Sequence, residues 1–188
     1  MTLPNKLTMM RIFFIPLIVV VFYIPYLKNN EIFSGLSLSM FINAILFCLA
    51  SATDFLDGYL ARKNNQITTF GKFADPLADK MLVFTAMLLF TSIGIIPVFV
   101  SIVIICREFM VSGIRLVAVG EGKVIAASKL GKYKTAVTMV ALILFFFYGI
   151  SNPLNLAAEI LIYVAVFLTV ISGADYFYKN RKIVLKSM

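Results

Sequence analysis

Residues 54–79 read DFLDGYLARKNNQITTFGKFADPLAD and form a polar stretch within an apolar chain. It contains four of the 9 acidic residues of the chain, although the sequence on both sides is strongly apolar. If both flanks are helical, residues three, four, seven or eight positions apart lie on one helix face. The stretch then forms two polar stripes, one of Asp54, Asp57, Gly58 and Ala61, the other of Gly71, Asp75 and Asp79.

Two such helices facing each other would bring four carboxylates together. Their mutual repulsion would protonate some of them unless a cation lies between them. The chain has no His, so oxygen ligands are what remain, and these suit hard ions such as Mg²⁺ or Mn²⁺. The small residues on both stripes leave room for a ligand beside the metal. The alternative, simple interfacial charges paired with Arg62, Lys72 and Lys80, does not explain two matched stripes.

The composition indicates a membrane protein. Of the 188 residues, 61% are hydrophobic and 14% are charged, whereas soluble domains average roughly 45–50% and about 25%. A membrane-spanning helix needs about 20 mostly apolar residues. We therefore expect a single all-α integral membrane domain over residues 1–188 with six transmembrane helices. The candidate spans cover about residues 8–27, 33–57 and beyond, 70–94, 97–119, 130–149 and 154–178.

Basic residues predict the orientation of these spans. The net charge of +8 comes mostly from alternate loops and the two termini, while the other loops carry only Lys28. The positive-inside rule then places both termini and the two basic loops in the cytoplasm. This pattern suggests contact with anionic membrane lipid rather than with nucleic acid. We expect a multi-pass protein of the cytoplasmic membrane with its polar site facing the cytoplasm.

The aspartate stretch also resembles a known family. The pattern Asp54-x2-Asp57-Gly58-x2-Ala61-Arg62-x8-Gly71-x3-Asp75-x3-Asp79 matches the signature of the CDP-alcohol phosphotransferases at all eight fixed positions. The resemblance implies that one or two divalent ions hold the pyrophosphate of a CDP-linked donor, and that the protein is a homodimer. The implied metal ligands are Asp54, Asp57, Asp75 and Asp79. The implied CDP-binding residues are Asp54, Asp57, Gly58, Ala61, Arg62 and Gly71.

A second group of polar residues points to an anionic acceptor. Arg107 and Arg115 share one helix face. At 1.5 Å per residue they lie about 15 and 27 Å along the helix from Pro97. Charged side chains at such depths require a water-filled cleft within the membrane. The following loop adds cations and hydroxyls suited to phosphate. The expected acceptor-phosphate ligands are Arg107, Arg115, Ser128, Lys132 and Lys134.

These acceptor segments, and the N-terminal Pro4-Asn5-x2-Thr8-x2-Arg11, resemble the branch of the family that uses glycerol 3-phosphate. The resemblance implies transfer of the phosphatidyl group of CDP-diacylglycerol to glycerol 3-phosphate, giving phosphatidylglycerophosphate and CMP. It makes Asp79 the candidate catalytic base. A family member with a cardiolipin-type or inositol-phosphate acceptor is the main alternative. An aspartate-rich membrane prenyltransferase fits less well because its spacings differ, and a transporter or channel would release no nucleotide.

Overall fold

The computed structural model describes residues 3–33, 35–63, 69–122, 125 and 128–186, which are helical apart from one short hairpin and the turns. Most long helices are joined by brief connections, so successive helices run in opposite directions. The elements are α1 (Leu3–Tyr23), α2 (Pro25–Asn29), β1 (Glu31–Phe33), β2 (Leu36–Ser37), α3 (Leu38–Lys63), α4 (Thr69–Ser92), α5 (Val98–Gly120), α6 (Lys129–Phe146) and α7 (Asn152–Lys186).

The region between the first two predicted spans differs from the expectation. α1 ends at Tyr23, because Ile24 precedes a proline and adopts an extended conformation with φ −66° and ψ 115°. The segment after α2 forms an antiparallel two-stranded hairpin in which Glu31 pairs with Ser37. The predictions of one continuous helix over 8–27 and of a helix starting at 33 are therefore wrong. The other predicted helix ends lie within a few residues of the observed ones, except that α3 continues to Lys63 and α7 extends to Lys186.

Aromatic side chains from three helices form the centre of the core. Phe47 of α3, Phe90 of α4 and Phe146 of α6 are all fully buried. The ring centroids of Phe90 and Phe146 are 4.8 Å apart in an edge-on arrangement, and those of Phe47 and Phe146 are 5.5 Å apart. Such ring pairs add about 0.5–1.5 kcal/mol to the stabilisation from burial. The ring of Phe146 contacts both of the other rings, so the cluster packs α3 and α4 against α6.

Two glycines allow the hairpin turn and the α6–α7 turn to make a close backbone contact at one end of the helix bundle. Gly35, in the hairpin turn, and Gly149, between α6 and α7, have φ values of 88° and 102°. A Cβ at Gly35 would lie 2.3 Å from the carbonyl oxygen of Gly149, and a Cβ at Gly149 would lie 2.6 Å from that of Gly35. Only glycine permits this close approach of the two backbones. The contact locks the hairpin onto the α6–α7 turn, at the end of the molecule opposite to the basic loops.

One long apolar helix and two shorter ones are compatible with a membrane protein. Within the described ranges, the segment Asn152–Arg181 is the one helix that is long and apolar enough to cross a bilayer. Thr8–Tyr23 and Leu38–Thr53 are shorter apolar helices. Large apolar side chains such as Leu116 and Phe167 are exposed on the outer faces of α5 and α7, as expected for lipid contact. The all-α expectation is confirmed for the described residues, whereas the number of six spans stays a prediction.

Candidate active site

A polar cleft of about 770 Å³ opens between α4, α5, the first half of α6 and the end of α7. Five of the residues predicted from sequence line it, and they come from three different parts of the chain. α4 contributes Asp79, α5 contributes Arg107 and Arg115, and the start of α6 contributes Ser128 and Lys132. The structure therefore brings the candidate base into one cavity with four of the five predicted acceptor ligands.

Lys80, Arg107 and Glu108 form one wall of the cleft, and Lys134 completes their ion-pair network from behind. Oε1 of Glu108 accepts hydrogen bonds from Nη1 of Arg107 at 2.7 Å and from Nζ of Lys134 at 2.9 Å. Nζ of Lys80 lies 3.9 Å from the other carboxylate oxygen and donates to the hydroxyl of Ser112. One carboxylate thus faces three cations, which leaves an excess of positive charge at the wall. Such an excess favours the binding of an anion.

The end of α7 supports both arginines. Nη2 of Arg107 donates to the buried hydroxyl of Ser172 at 3.0 Å. Nε of Arg115 donates to the hydroxyl of Tyr176 at 3.2 Å, and its guanidinium carbon lies 5.8 Å from the ring centroid. Because each arginine has several N–H donors, these bonds hold the side chain in place and leave other donors for a ligand. Ser172 and Tyr176 are one turn apart on α7, so a single helix face holds both side chains.

The first turn of α6 closes the cleft beside Arg107. Ser128 is the N-cap of α6, and its hydroxyl accepts a hydrogen bond from the backbone N–H of Gly131 at 3.0 Å. A Cβ at Gly131 would lie 3.1 Å from that hydroxyl and 3.4 Å from Nη2 of Arg107. The absence of a side chain therefore lets the guanidinium approach the helix end. The positive end of the helix dipole adds to the attraction for an anion.

Lys134 lies behind this wall rather than on the surface of the cleft. Its side chain is only 3% exposed, and it is bound to Glu108. The residues that line the cleft do not include it. Its predicted role as a direct phosphate ligand stays a prediction, and the structure provides it with a different partner.

The aspartate stripe on α4 has the expected helical arrangement. Asp75 and Asp79 lie one turn apart, each partly buried, and Gly71 is buried one turn before them. The hydroxyl of Thr8, fully buried on α1, donates to a carboxylate oxygen of Asp75. This bond holds one carboxylate in a defined orientation, one helical turn before Asp79. A pair of carboxylates one turn apart offers only oxygen donors, which fits a hard divalent cation.

For the matching stripe on α3, the structure describes the backbone but not the side chains. α3 is helical through Lys63 and contacts α4, so its positions have the predicted spacing. The side chains of Asp54, Asp57, Ala61 and Arg62, and the surroundings of Gly58, lie outside what the structure describes. Among the side chains that are described, no group of three acidic, Cys or His residues could share a metal ion. The four-aspartate metal site and the CDP site therefore stay predictions.

Some residues of the site do not follow from the sequence reading. Glu108 is adjacent to Arg107, and Lys80 is adjacent to Asp79, so proximity to a candidate residue was the available signal for both. Nothing in the sequence marks Ser172 and Tyr176 as site residues, because uncharged serine and tyrosine residues are common in apolar helices. Their role follows only from the packing of α7 against α5.

Comparison with known proteins adds an independent observation. Residues 1–171 match the family model of CDP-alcohol phosphatidyltransferases. The chain is 42% identical over 186 residues to a Bacillus subtilis protein named CDP-diacylglycerol–glycerol-3-phosphate 3-phosphatidyltransferase, covering 95% of this chain and 94% of that protein. Proteins with the same name from Rickettsia felis and Haemophilus influenzae are 39% and 40% identical, over 96% and 93% of this chain and 96% and 90% of theirs.

Proposed function

The chain belongs to the CDP-alcohol phosphatidyltransferase family, and on that premise we propose that its cleft transfers the phosphatidyl group of CDP-diacylglycerol to glycerol 3-phosphate. The relatives named for this reaction are similar over nearly the full length of the chain. The observation that carries the assignment to this cleft is the joint presence of Asp79 and a set of cations in one cavity. The products are phosphatidylglycerophosphate and CMP.

The reaction exchanges one phosphorus–oxygen bond for another. The primary hydroxyl of glycerol 3-phosphate forms a bond to the phosphorus that carries diacylglycerol, and the bond from that phosphorus to CMP breaks. The hydroxyl proton must leave, and two carboxylates line the cleft, Asp79 and Glu108. Because Glu108 is already bound to Arg107 and Lys134, we assign the proton to Asp79. An aspartate is a weak base, with an unperturbed pKa of about 3.9. Positioning of the hydroxyl against the donor therefore contributes much of the rate.

The acceptor's phosphate binds at the cationic side of the cleft. Arg107 and Arg115 are already oriented by α7, and Lys132 adds a further charge at the first turn of α6. Arginine can form paired hydrogen bonds with two phosphate oxygens, whereas lysine acts as a point charge. This arrangement selects a phosphorylated alcohol and directs its free hydroxyl toward Asp79.

The family generally depends on a divalent metal ion. We propose that Asp54, Asp57, Asp75 and Asp79 hold one or two Mg²⁺ or Mn²⁺ ions. When bound, the metal neutralises charge on the pyrophosphate of the donor and on departing CMP. Thr8 orients Asp75 for this task by its hydrogen bond. Gly58, Ala61, Arg62 and Gly71 are the residues that we propose to contact the CDP moiety.

The position of the cleft supports a cytoplasmic active site. The cleft is formed by the end of α5 and the start of α6, which flank a basic loop, and by the end of α7, which precedes a basic terminus. We propose that α1, α3, α4, α5, α6 and α7 cross the membrane with both termini inside. The charges of α4, α5 and α6 are compatible with this because several of them face the cleft rather than lipid.

Cysteine labelling tests this topology. In a variant whose native Cys48 and Cys106 are replaced by alanine, Ser151→Cys and Lys179→Cys would each introduce one exposed thiol at opposite ends of α7. A membrane-impermeant maleimide should label the first in intact cells and the second only after permeabilisation. Equal labelling of both in intact cells would contradict the proposed topology.

The function itself is tested with the purified chain, radiolabelled glycerol 3-phosphate, CDP-diacylglycerol and Mg²⁺. We expect label in the lipid fraction and CMP in equal amounts, both abolished by a chelator. Unlabelled inositol phosphate or phosphatidylglycerol, added in excess, should compete poorly. CMP release that requires one of these instead would assign a different acceptor. Light scattering in the same detergent measures the homodimer implied by family resemblance, which stays a prediction.

A further inference from the structure

Glu108 forms ion pairs with basic residues on three helices at the cleft. Its carboxylate, 14% exposed on α5, accepts from Arg107 on the same helix and from Lys134 on α6, and it lies within ion-pair distance of Lys80 on α4. One acidic side chain therefore links α4, α5 and α6 beside the candidate base.

The burial of these groups makes the carboxylate necessary. Lys134 is 3% exposed and Arg107 is 10% exposed, so water neutralises little of their mutual repulsion. Without Glu108, the two cations would repel each other in a region of low effective dielectric constant. Removing one partner of a buried ion pair leaves an uncompensated charge, which is strongly unfavourable. Glu108 thus permits the cations to be packed closely.

The same carboxylate fixes the direction of the Arg107 guanidinium. Nη1 binds Glu108 of α5 and Nη2 binds Ser172 of α7, so two bonds to different helices set the orientation of the group. Gly173 and Gly131 pack against this side chain, where an added Cβ would lie 3.1 Å from its Cγ and 3.4 Å from its Nη2 respectively. The guanidinium therefore has little freedom to reorient while Glu108 is present.

We propose that Glu108 is a positioning residue for the acceptor: it holds Arg107 and Lys80 in the arrangement that binds the acceptor's phosphate, without contacting the substrate itself. Lys134, which is behind the wall, neutralises the remaining charge of Glu108 and is not a direct phosphate ligand. This proposal deepens the function proposed above and rests on it for the identity of the acceptor. It requires only that the cleft binds a phosphate group.

Three variants test the proposal, each purified in detergent: Glu108→Gln, Lys134→Met and the double variant. For each, the KM values for glycerol 3-phosphate and CDP-diacylglycerol are measured, together with thermal stabilisation by inorganic phosphate. In Glu108→Gln we expect the acceptor KM and the apparent Kd for phosphate to rise about tenfold, as for loss of one charge-assisted hydrogen bond. The KM for CDP-diacylglycerol should change less than about twofold, since its contacts are elsewhere.

The double variant separates positioning from a merely structural role. Removing both members of the buried pair should restore thermal stability relative to Glu108→Gln, while the acceptor KM stays raised. Recovery of the acceptor KM in the double variant would overturn the proposal. A rise in Lys134→Met equal to that in Glu108→Gln would assign the effect to Lys134 and would overturn it as well. If Glu108→Gln does not fold, the acceptor KM of the double variant is compared with that of Lys134→Met instead.

A matched control is available on α7. Asp175→Asn removes a carboxylate that binds Lys179 at 2.8 Å at an exposed site, and it should leave both KM values unchanged. Failure of the wild type to release CMP with glycerol 3-phosphate would refute the proposed function. Phosphate-dependent stabilisation in the same preparations would still test Glu108, because that readout needs no turnover. Unchanged phosphate stabilisation in Glu108→Gln would overturn the positioning role even in an active enzyme.

Discussion

Replacement of Arg107 by alanine is the most direct test of the acceptor site. The wild-type side chain has five N–H donors, of which Nη1 is used by Glu108 at 2.7 Å and Nη2 by Ser172 at 3.0 Å. Arg107 lines the cleft and its side chain is 10% exposed, so its charge acts on a ligand bound there. Arg107→Ala removes the charge from the cleft but leaves Glu108 paired with Lys134, so the wall keeps a compensating partner.

The expected magnitude follows from the bonds that are lost. A hydrogen bond to a charged group contributes about 1.5–3 kcal/mol, and each 1.4 kcal/mol corresponds to a factor of ten in affinity. The KM for glycerol 3-phosphate should therefore rise about 10- to 150-fold. The KM for CDP-diacylglycerol should change less than about threefold. Arg107→Lys should give an intermediate value, because an ammonium group keeps the charge but cannot form the same paired contacts.

The assay is steady-state release of CMP with one substrate varied at a saturating concentration of the other. Arg181→Ala provides a matched control, since this exposed arginine stacks over Tyr178 with 4.5 Å between its guanidinium carbon and the ring centroid, away from the cleft. It should leave both KM values unchanged. An equal rise of both KM values in Arg107→Ala would refute its assignment to the acceptor.

Three further predictions concern the base, the orientation of a carboxylate and the packing of the loops. Asp79→Asn should lower kcat by about 10²–10⁴-fold, the usual contribution of a general base, with an unchanged melting temperature; near-normal turnover would remove its role. Thr8→Val deletes the donor to Asp75 and should raise the Mg²⁺ concentration needed for half-maximal activity about 10- to 100-fold, with recovery in Thr8→Ser; equal requirements in all three proteins would argue against an orienting role. Gly35→Ala would place a Cβ 2.3 Å from the Gly149 carbonyl oxygen and should lower the melting temperature in detergent, whereas an unchanged value would show that this contact does not form.

Much of the helical layout could be predicted from local signals. Proline and glycine mark most helix ends, as at Pro97 and Gly94 between α4 and α5, because they restrict or permit specific backbone angles. The periodicity of Asp75 and Asp79 predicted one face of α4, and that of Arg107 and Arg115 predicted one face of α5. The hairpin at Glu31–Ser37 was missed, since its strands are too short to show alternation.

The amino-acid sequence alone determined the membrane class, the helices and the faces on which the polar residues lie, because each of these depends on neighbours within a turn or two. Only the tertiary structure decided how those faces meet. It placed Lys134 behind Glu108 rather than in the cleft, and it brought Ser172 and Tyr176 of α7 to the two arginines of α5. Such pairings depend on the rotation and offset of one helix against another, which are set by packing across the core and which no local spacing specifies.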